Sequence, residues 1–266
     1  VRTLRIALAL AAADLRGQMQ YRADFVTNVI AGMVWQCTGF LFLWVVLSRF
    51  QALAGWTLGS VAFLYALRLS AHALNSIFFF PLQYFGAQIR QGAMDRYLVR
   101  PLPPLIQIIS SHVGLVVIGD ALSAIALFVA AAGLTHIAWS PLAVTYVILA
   151  MIGGALIEGA LNLIATALAF RTLNTDALGA FFDSFFATFG NYPLKIYGNL
   201  LQLGFTFLLP LAFVAYFPAT VLLNRTGDLL VPPVFAYLAP LAGILWFALA
   251  YALFNHELRK YQSSGH

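Results

Sequence analysis

Apolar residues run through this chain in long blocks, not in the alternation of a half-buried strand or the single stripe of a surface helix. Blocks of that kind match helices that are apolar all round, as in a lipid bilayer. A helix needs about 20 predominantly apolar residues to cross a hydrocarbon layer about 30 Å thick. Six blocks meet that measure, at residues 25–48, 56–80, 105–132, 141–170, 197–217 and 234–254. No gap between them is long enough for a soluble domain. No internal repeat of the kind seen in many secondary transporters is visible. The pattern predicts an all-α, polytopic membrane protein with six transmembrane helices, residues 1–266 forming one transmembrane domain.

Two further segments have a helical period without the all-round apolarity of a span. Over residues 1–22, Leu4, Leu8, Leu15 and Met19 share one helix face, and Arg2, Arg5 and Arg16 lie on the adjoining face. This is either an amphipathic helix lying in the membrane interface or a basic flank of the first span. Over residues 174–195, Phe181, Phe182, Phe185, Phe186 and Phe189 make an aromatic stripe, with Asp176, Asp183 and Ser184 on the other side. Asn174 or Thr175 is placed to cap its start, and Asp176 suits the first turn. The segment reads as an interfacial or re-entrant helix packed on protein or lining a wet path, or as the lower part of the fifth span. Pro193 ends it.

Charge turns these spans into a topology. Arg2, Arg5, Arg16, Arg22, Arg90, Arg96, Arg100, Arg171, Arg259 and Lys260 fall on one side of a six-span chain, against Arg49 and Arg225 on the other. The positive-inside rule then puts both termini in the cytoplasm. Composition agrees: 62% of residues are hydrophobic and 9% charged, where soluble domains carry about 25% charged residues. The net charge of +5 flanks the spans and does not gather on a polar domain, so no nucleic-acid partner is expected. The single cysteine, Cys37, excludes an intrachain disulfide and a multi-cysteine metal site, and reads as a packing residue. No cleavable signal peptide is expected.

Catalytic motifs are missing. There is no phosphate-binding glycine loop ending in Lys-Ser/Thr, no His-Glu-x-x-His and no Gly-x-Ser-x-Gly. His72, His112 and His136 stand apart in sequence, and no cofactor or metal is expected on the chain. More informative are ionisable residues inside the spans: Arg68 in the second, Asp120 in the third and Glu158 in the fourth. Each charge at a helix centre costs about 2.5–3.5 kcal/mol on insertion scales, so such groups seek partners or water. Their depths are similar, which predicts Arg68 paired with Asp120, Glu158 or both. His72 and Asn75 extend the polar face of Arg68; Asn162 and Thr166 extend that of Glu158. The set reads either as a buried ion pair fixing helix register or as a polar patch on a transport path. Ala155 and Gly159 make a small-x-x-x-small pair that permits close helix approach.

The gap at residues 86–104 holds the sharpest pattern. Residues 88–100 suit a short helix outside the bilayer, with Arg90, Asp95, Arg96 and Arg100 charged and Met94, Tyr97 and Leu98 available for docking. Pro101, Pro103 and Pro104 stop it and redirect the chain. It reads as a force-transmitting element for a soluble partner, or as a solvated basic loop.

The unbroken run 92–102, with Gly92, Asp95, Leu98 and Pro101 in place, resembles the loop after the second span of type-2 ATP-binding-cassette exporter permeases of a bacterial six-helix subfamily. The run Tyr192, Pro193, Leu194, Lys195, Ile196, Tyr197 is similar to the same group, as are Leu209-Pro210 and Phe217-Pro218-Ala219. The resemblance implies a transmembrane permease subunit that pairs with itself or a sister permease and with two separate ATPase subunits. ATP and magnesium would be held by those ATPases. It implies ATPase coupling through Gly92, Asp95, Leu98 and Pro101, with Arg96 and Arg100, and a smaller contact at residues 171–176. It places Phe181, Phe185 and Phe189 by a conduit and Phe217 and Pro218 at its external gate, in the bacterial cytoplasmic membrane. Abundant aromatics and sparse charge point to a hydrophobic or amphipathic cargo. Two alternatives are an ion-coupled secondary transporter using Arg68, Asp120 and Glu158, and a membrane-embedded lipid-modifying enzyme.

Overall fold

Backbone polar groups cannot go unpaired in hydrocarbon, so a spanning chain of this kind must close its hydrogen bonds within helices. The computed structural model describes residues 2–49, 52–92, 94–171 and 176–261, and among these the fold is all-α. In chain order the helices are α1 (Arg2–Met19), α2 (Arg22–Arg49), α3 (Leu58–Phe79), α4 (Leu82–Arg90), α5 (Met94–Leu98), α6 (Pro104–Ile109) and α7 (Val116–Gly133). They continue with α8 (Pro141–Leu168), α9 (Asp176–Phe189), α10 (Asn199–Leu203), α11 (Phe217–Leu222), α12 (Val234–Tyr237) and α13 (Ala239–Leu258). Five are long and apolar enough to span, namely α2, α3 together with α4, α7, α8 and α13. Two begin on side-chain caps. The Thr57 hydroxyl accepts from the Ser60 amide, and the Ser140 hydroxyl accepts from the Ala143 amide ahead of Pro141. The proposed caps Asn174 and Thr175 lie outside the described residues.

The third apolar block is not one helix. It breaks between α6 and α7 at residues 110–115, and the break is served by α1. Asp14 Oδ2 accepts from the Val113 amide at 2.8 Å, and Gln18 Nε2 donates to the Val113 carbonyl at 2.8 Å and to Asp14 at 2.6 Å. Both peptide groups of Val113 are therefore satisfied by side chains, which makes an unwound turn tolerable at membrane depth.

The fifth block departs further. Residues 199–208 and 212–222 meet at an angle of 86°, with Pro210 at the corner. Their outer ends come back together. Lys195 Nζ lies 2.5 Å from Asp228 Oδ1, so the residues before and after the bent pair share one salt bridge. A segment crossing the bilayer would have left its ends about 30 Å apart; this one is a re-entrant hairpin. The passage before the hairpin is made by α9, 14 residues long and carried on by residues 190–195; its sequence reads as an interfacial or re-entrant helix or as the lower part of the fifth span. Gly179 on α9 lies against the α4 carbonyl of Gln83, Gly190 lies beside Arg68, and Lys195 reaches the Trp56 end of the bundle.

Helices in lipid gain little from hydrophobicity between themselves and associate by close packing of small residues. One close crossing is α8 on α13, where a Cβ added to Gly243 would sit 2.2 Å from the Gly153 carbonyl oxygen. Gly119 of α7 similarly faces the Val29 carbonyl of α2. Of the predicted Ala155/Gly159 pair, Gly159 receives the ring of Phe79, so it seats a side chain and not a second backbone. Cys37, expected to pack, is exposed on α2. Helix α3 is buried over most of its length, whereas α2 and α13 turn most of their surface outward. One core surrounds α3 and the hairpin, with Trp56, Phe63, Phe213 and Phe217; a second lies at the α5 end, with Phe79, Phe85, Met94, Ile108 and Phe254.

At the Trp56 end, Asp228 ties three connections together. Its carboxylate meets Lys195 at 2.5 Å, Arg225 Nε at 3.0 Å and the Trp56 indole N–H at 3.1 Å. The Arg225 guanidinium lies 5.1 Å from the Trp56 ring centre. Burial pushes the Asp228 carboxyl up, but Lys195 and Arg225 outweigh it and hold its pKa below the ordinary value. The charged form is thus the one that stabilises the fold. Its contribution is complete above the ordinary carboxylate range, near pH 4, and is lost as pH falls through the lower folded value. Asp228→Asn should melt below the wild type at neutral pH, and the gap should narrow between about pH 5 and about pH 3. A gap that does not change with pH would show that charge is not what fastens this end.

Candidate functional site

Helix α5 has five residues, too few to hold a helix in water alone. It is held from below. Met94 and Tyr97 are buried in the second core, and the Tyr97 ring meets Phe85 edge-on at 5.4 Å. Gln107 on α6, itself buried, donates from Nε2 to the Tyr97 carbonyl at 2.9 Å and to the Leu102 carbonyl at 2.7 Å. Gly92, at φ +71°, supplies the left-handed turn between α4 and α5. What remains outward is Arg96, Leu98, Val99, Arg100 and Pro101, a short basic and apolar face. Met94 and Tyr97 were expected to dock on a partner with Leu98; they are spent on the chain's own core. Asp95 is half-buried and, with burial, raises the pKa of the Tyr261 phenol.

The same end is braced by Arg171, whose Nε and Nη2 engage the carboxylate of Glu257, the second contact at 2.6 Å. The ion pair joins the ends of α8 and α13. The side chains proposed as a second partner contact at residues 172–176 lie outside the described residues. Tyr261 stacks edge-on against Phe170 at 5.6 Å, closing the α5 end.

Inside the bundle three of the predicted polar residues, but not Glu158 or Asn162, line one cavity of about 460 Å³ between α2, α3, α7 and α9. Arg68, His72, Asp120 and Asp183 line it, with Gln36 and Ser184. The pairing is not the expected one. Glu158 accepts or shares a proton with His72 Nδ1 at 2.8 Å, and Asp120 accepts from Gln36 Nε2 at 2.8 Å. Arg68 reaches neither carboxylate, and its buried Nε has no hydrogen-bond partner. Asn162 is buried beside Glu158; its carbonyl oxygen on the backbone receives the Thr166 hydroxyl at 2.9 Å, and its side-chain oxygen is unpaired.

The aromatic stripe of α9 divides. Phe185 and Phe189 pack with Phe205 and Tyr197 at centroid distances of 5.2 to 5.9 Å, joining α9 to the first arm of the hairpin. Phe181 is exposed, while Asp183 and Ser184 face the polar cavity. Phe217 and Pro218 are buried in the second arm, Phe217 against Phe213 at 4.9 Å.

A family model described as "ABC-2 family transporter protein" matches residues 33–265. The chain belongs to that family. Neither the curated proteins nor the solved structures compared with it gave a match. The matched region of this ABC-2 chain takes in the α5 hairpin, the polar cavity, the hairpin at residues 199–222 and every spanning helix but the start of α2. The family and the apolar helices together make it a multi-pass membrane permease subunit of an ATP-binding-cassette transporter. Two residues central to this ABC-2 site drew no notice as sequence: Gln107, a lone amide in an apolar block, and Gln36, likewise isolated. A single amide carries no periodic signal, and only its burial reveals its work.

Proposed function

We propose that this chain couples ATP hydrolysis on two separate ATPase subunits to export of a hydrophobic or amphipathic substrate. ATP and magnesium are held by those partners, and the membrane part comprises two permeases, either two copies of this chain or one with a sister permease. Both termini and the α5 hairpin face the cytoplasm of a bacterial cell, in its cytoplasmic membrane, as the arginine asymmetry favours.

The observation that carries the reading is the α5 hairpin. Its outward face, with Arg96, Leu98, Arg100 and Pro101, sits on a base fixed by Met94, Tyr97 and Gln107. A load applied to that face passes into α4 and α6 and is not dissipated in a loose loop. Nucleotide state shifts the permease only if the ATPases bind its two arrangements with different affinity. Gly92 and Asp95 belong to the turn that presents this face, and Phe181, Phe185, Phe189, Phe217 and Pro218 belong to the conduit and its far gate.

The test is co-purification with an ATP-binding-cassette ATPase from the same cell, followed by Leu98→Asp and the double variant Asp95→Ala/Arg96→Ala. Leu98 is exposed, so its substitution spares the fold. Both variants should elute as folded permease yet fail to stimulate ATP hydrolysis and export. Stimulation and export at wild-type levels would remove α5 from the coupling path. An ion-coupled carrier would instead lose transport when the proton gradient is collapsed with ATP maintained.

A further inference from the structure

The cavity between α2, α3, α7 and α9 contains two charged side chains that do not neutralise one another. Arg68 is only 5% exposed, lines the cavity and forms no ion pair among the described residues. Asp183, which lines the same cavity from α9, has no hydrogen bond or ion pair to a described residue either. Asp120 is half engaged, with Oδ1 taken by Gln36. His72 and Glu158 satisfy each other at 2.8 Å and are not available in the same way. An isolated charge in a membrane interior is expensive, and an arginine and an aspartate free to meet would pair. Here they line one space of about 460 Å³ without forming an ion pair, a volume within the size of small-molecule pockets.

The rim has a different character. Trp35 and Tyr84 line the cavity while 76% and 60% exposed, and Phe80, also in the lining, meets the Tyr84 ring at 5.5 Å. Aromatic faces attract cations and accept apolar chains at the boundary with lipid.

We infer that this cavity binds a zwitterionic amphipath, with the anionic group on Arg68, the cationic group toward Asp183 and Asp120, and the apolar tail leaving past Trp35 and Tyr84. As a substrate class it rests on the exporter reading; as a binding site it does not. A ligand carrying one charge satisfies one wall and leaves the other unpaired. A zwitterion satisfies both.

The experiment uses the full chain purified in a non-ionic maltoside and three probes with the same tail: dodecylphosphocholine, dodecyltrimethylammonium and dodecyl phosphate, each below its micelle concentration. Binding is read from tryptophan fluorescence, with Trp35→Phe identifying the share that comes from the rim. Dodecylphosphocholine should bind about tenfold or more tighter than either singly charged probe, the discrimination one desolvated charged hydrogen bond provides. Arg68→Gln should bring it down to the cationic probe's level, and Asp183→Asn to the anionic probe's level. Equal binding of all three probes, or tightest binding by a singly charged one, overturns the proposal. If Arg68→Gln does not fold, the half-exposed Asp183→Asn variant still decides the matter, because unchanged preference in it refutes the charge pairing. Loss of ATPase co-purification would sink the exporter reading and leave this binding result standing, and the reverse also holds.

Discussion

Gly243→Ala should yield little folded protein. The added Cβ would lie 2.2 Å from the carbonyl oxygen and 2.5 Å from the Cα of Gly153, and both are backbone atoms with no rotamer to escape into. Helix α13 must then move off α8. Overpacking of this sort costs about 1–3 kcal/mol when side chains can adjust, and here nothing can adjust except the helices. Separation would also pull on the Arg171–Glu257 pair that joins their ends. Size-exclusion profiles and melting in detergent measure the effect. Gly133→Ala is the matched control, since no atom lies within 4 Å of its added methyl. Equal melting of the Gly243→Ala variant and wild type would mean that the two helices do not cross at this distance.

Gln107→Leu should uncouple the permease without unfolding it. The substitution keeps the side chain's bulk and removes the donor to two carbonyls, Tyr97 at 2.9 Å and Leu102 at 2.7 Å. Each buried acceptor left without a partner costs about 1–3 kcal/mol. Helix α5 is too short to absorb that, so the loop relaxes and its outward face loses its fixed orientation. If the coupling reading is right, stimulated ATP hydrolysis and export should fall about tenfold, the equivalent of 1.4 kcal/mol. The spans, which Gln107 does not join, should melt as before. Wild-type coupling in Gln107→Leu would show that α5 is oriented by Met94 and Tyr97 alone.

The class of the fold is legible in sequence because span length and arginine placement answer to the bilayer alone. Any helix crossing lipid must be apolar for about 20 residues, whatever it packs against. Where neighbours decide, the sequence reading fails. The unwound turn at Val113 depends on Asp14 and Gln18, about a hundred positions away, and nothing local to Val113 announces them. Residues 199–222 have the composition of a span, and Pro210 marks only a corner; the Lys195–Asp228 bridge is what turns the segment back. Of the intramembrane polar residues, Arg68, His72 and Asp120 line one cavity, and Glu158 and Asn162 do not. Their pairing was not legible, because depth along a helix is read from numbering whereas azimuth is set by how each helix rotates in the bundle. The docking side of α5 was misread for the same reason. Met94, Tyr97 and Leu98 look equivalent as apolar residues, and only the position of Phe85 and Ile108 beneath them separates anchors from surface.

One carboxylate, Asp228, fastens the chain on either side of residues 199–222. The segment is therefore a flap hinged along one rim: it cannot slide, and any displacement is greatest at its tip near Pro210. The tip does not hang free. Leu211 rests where a methyl on Gly190 would be 3.1 Å away, and Gly190 also borders Arg68. Tilting α9 thus levers the flap directly. Both arms contain a π-helical turn, at Gly204–Leu208 and Ala212–Tyr216, a rare geometry that recurs at functional sites.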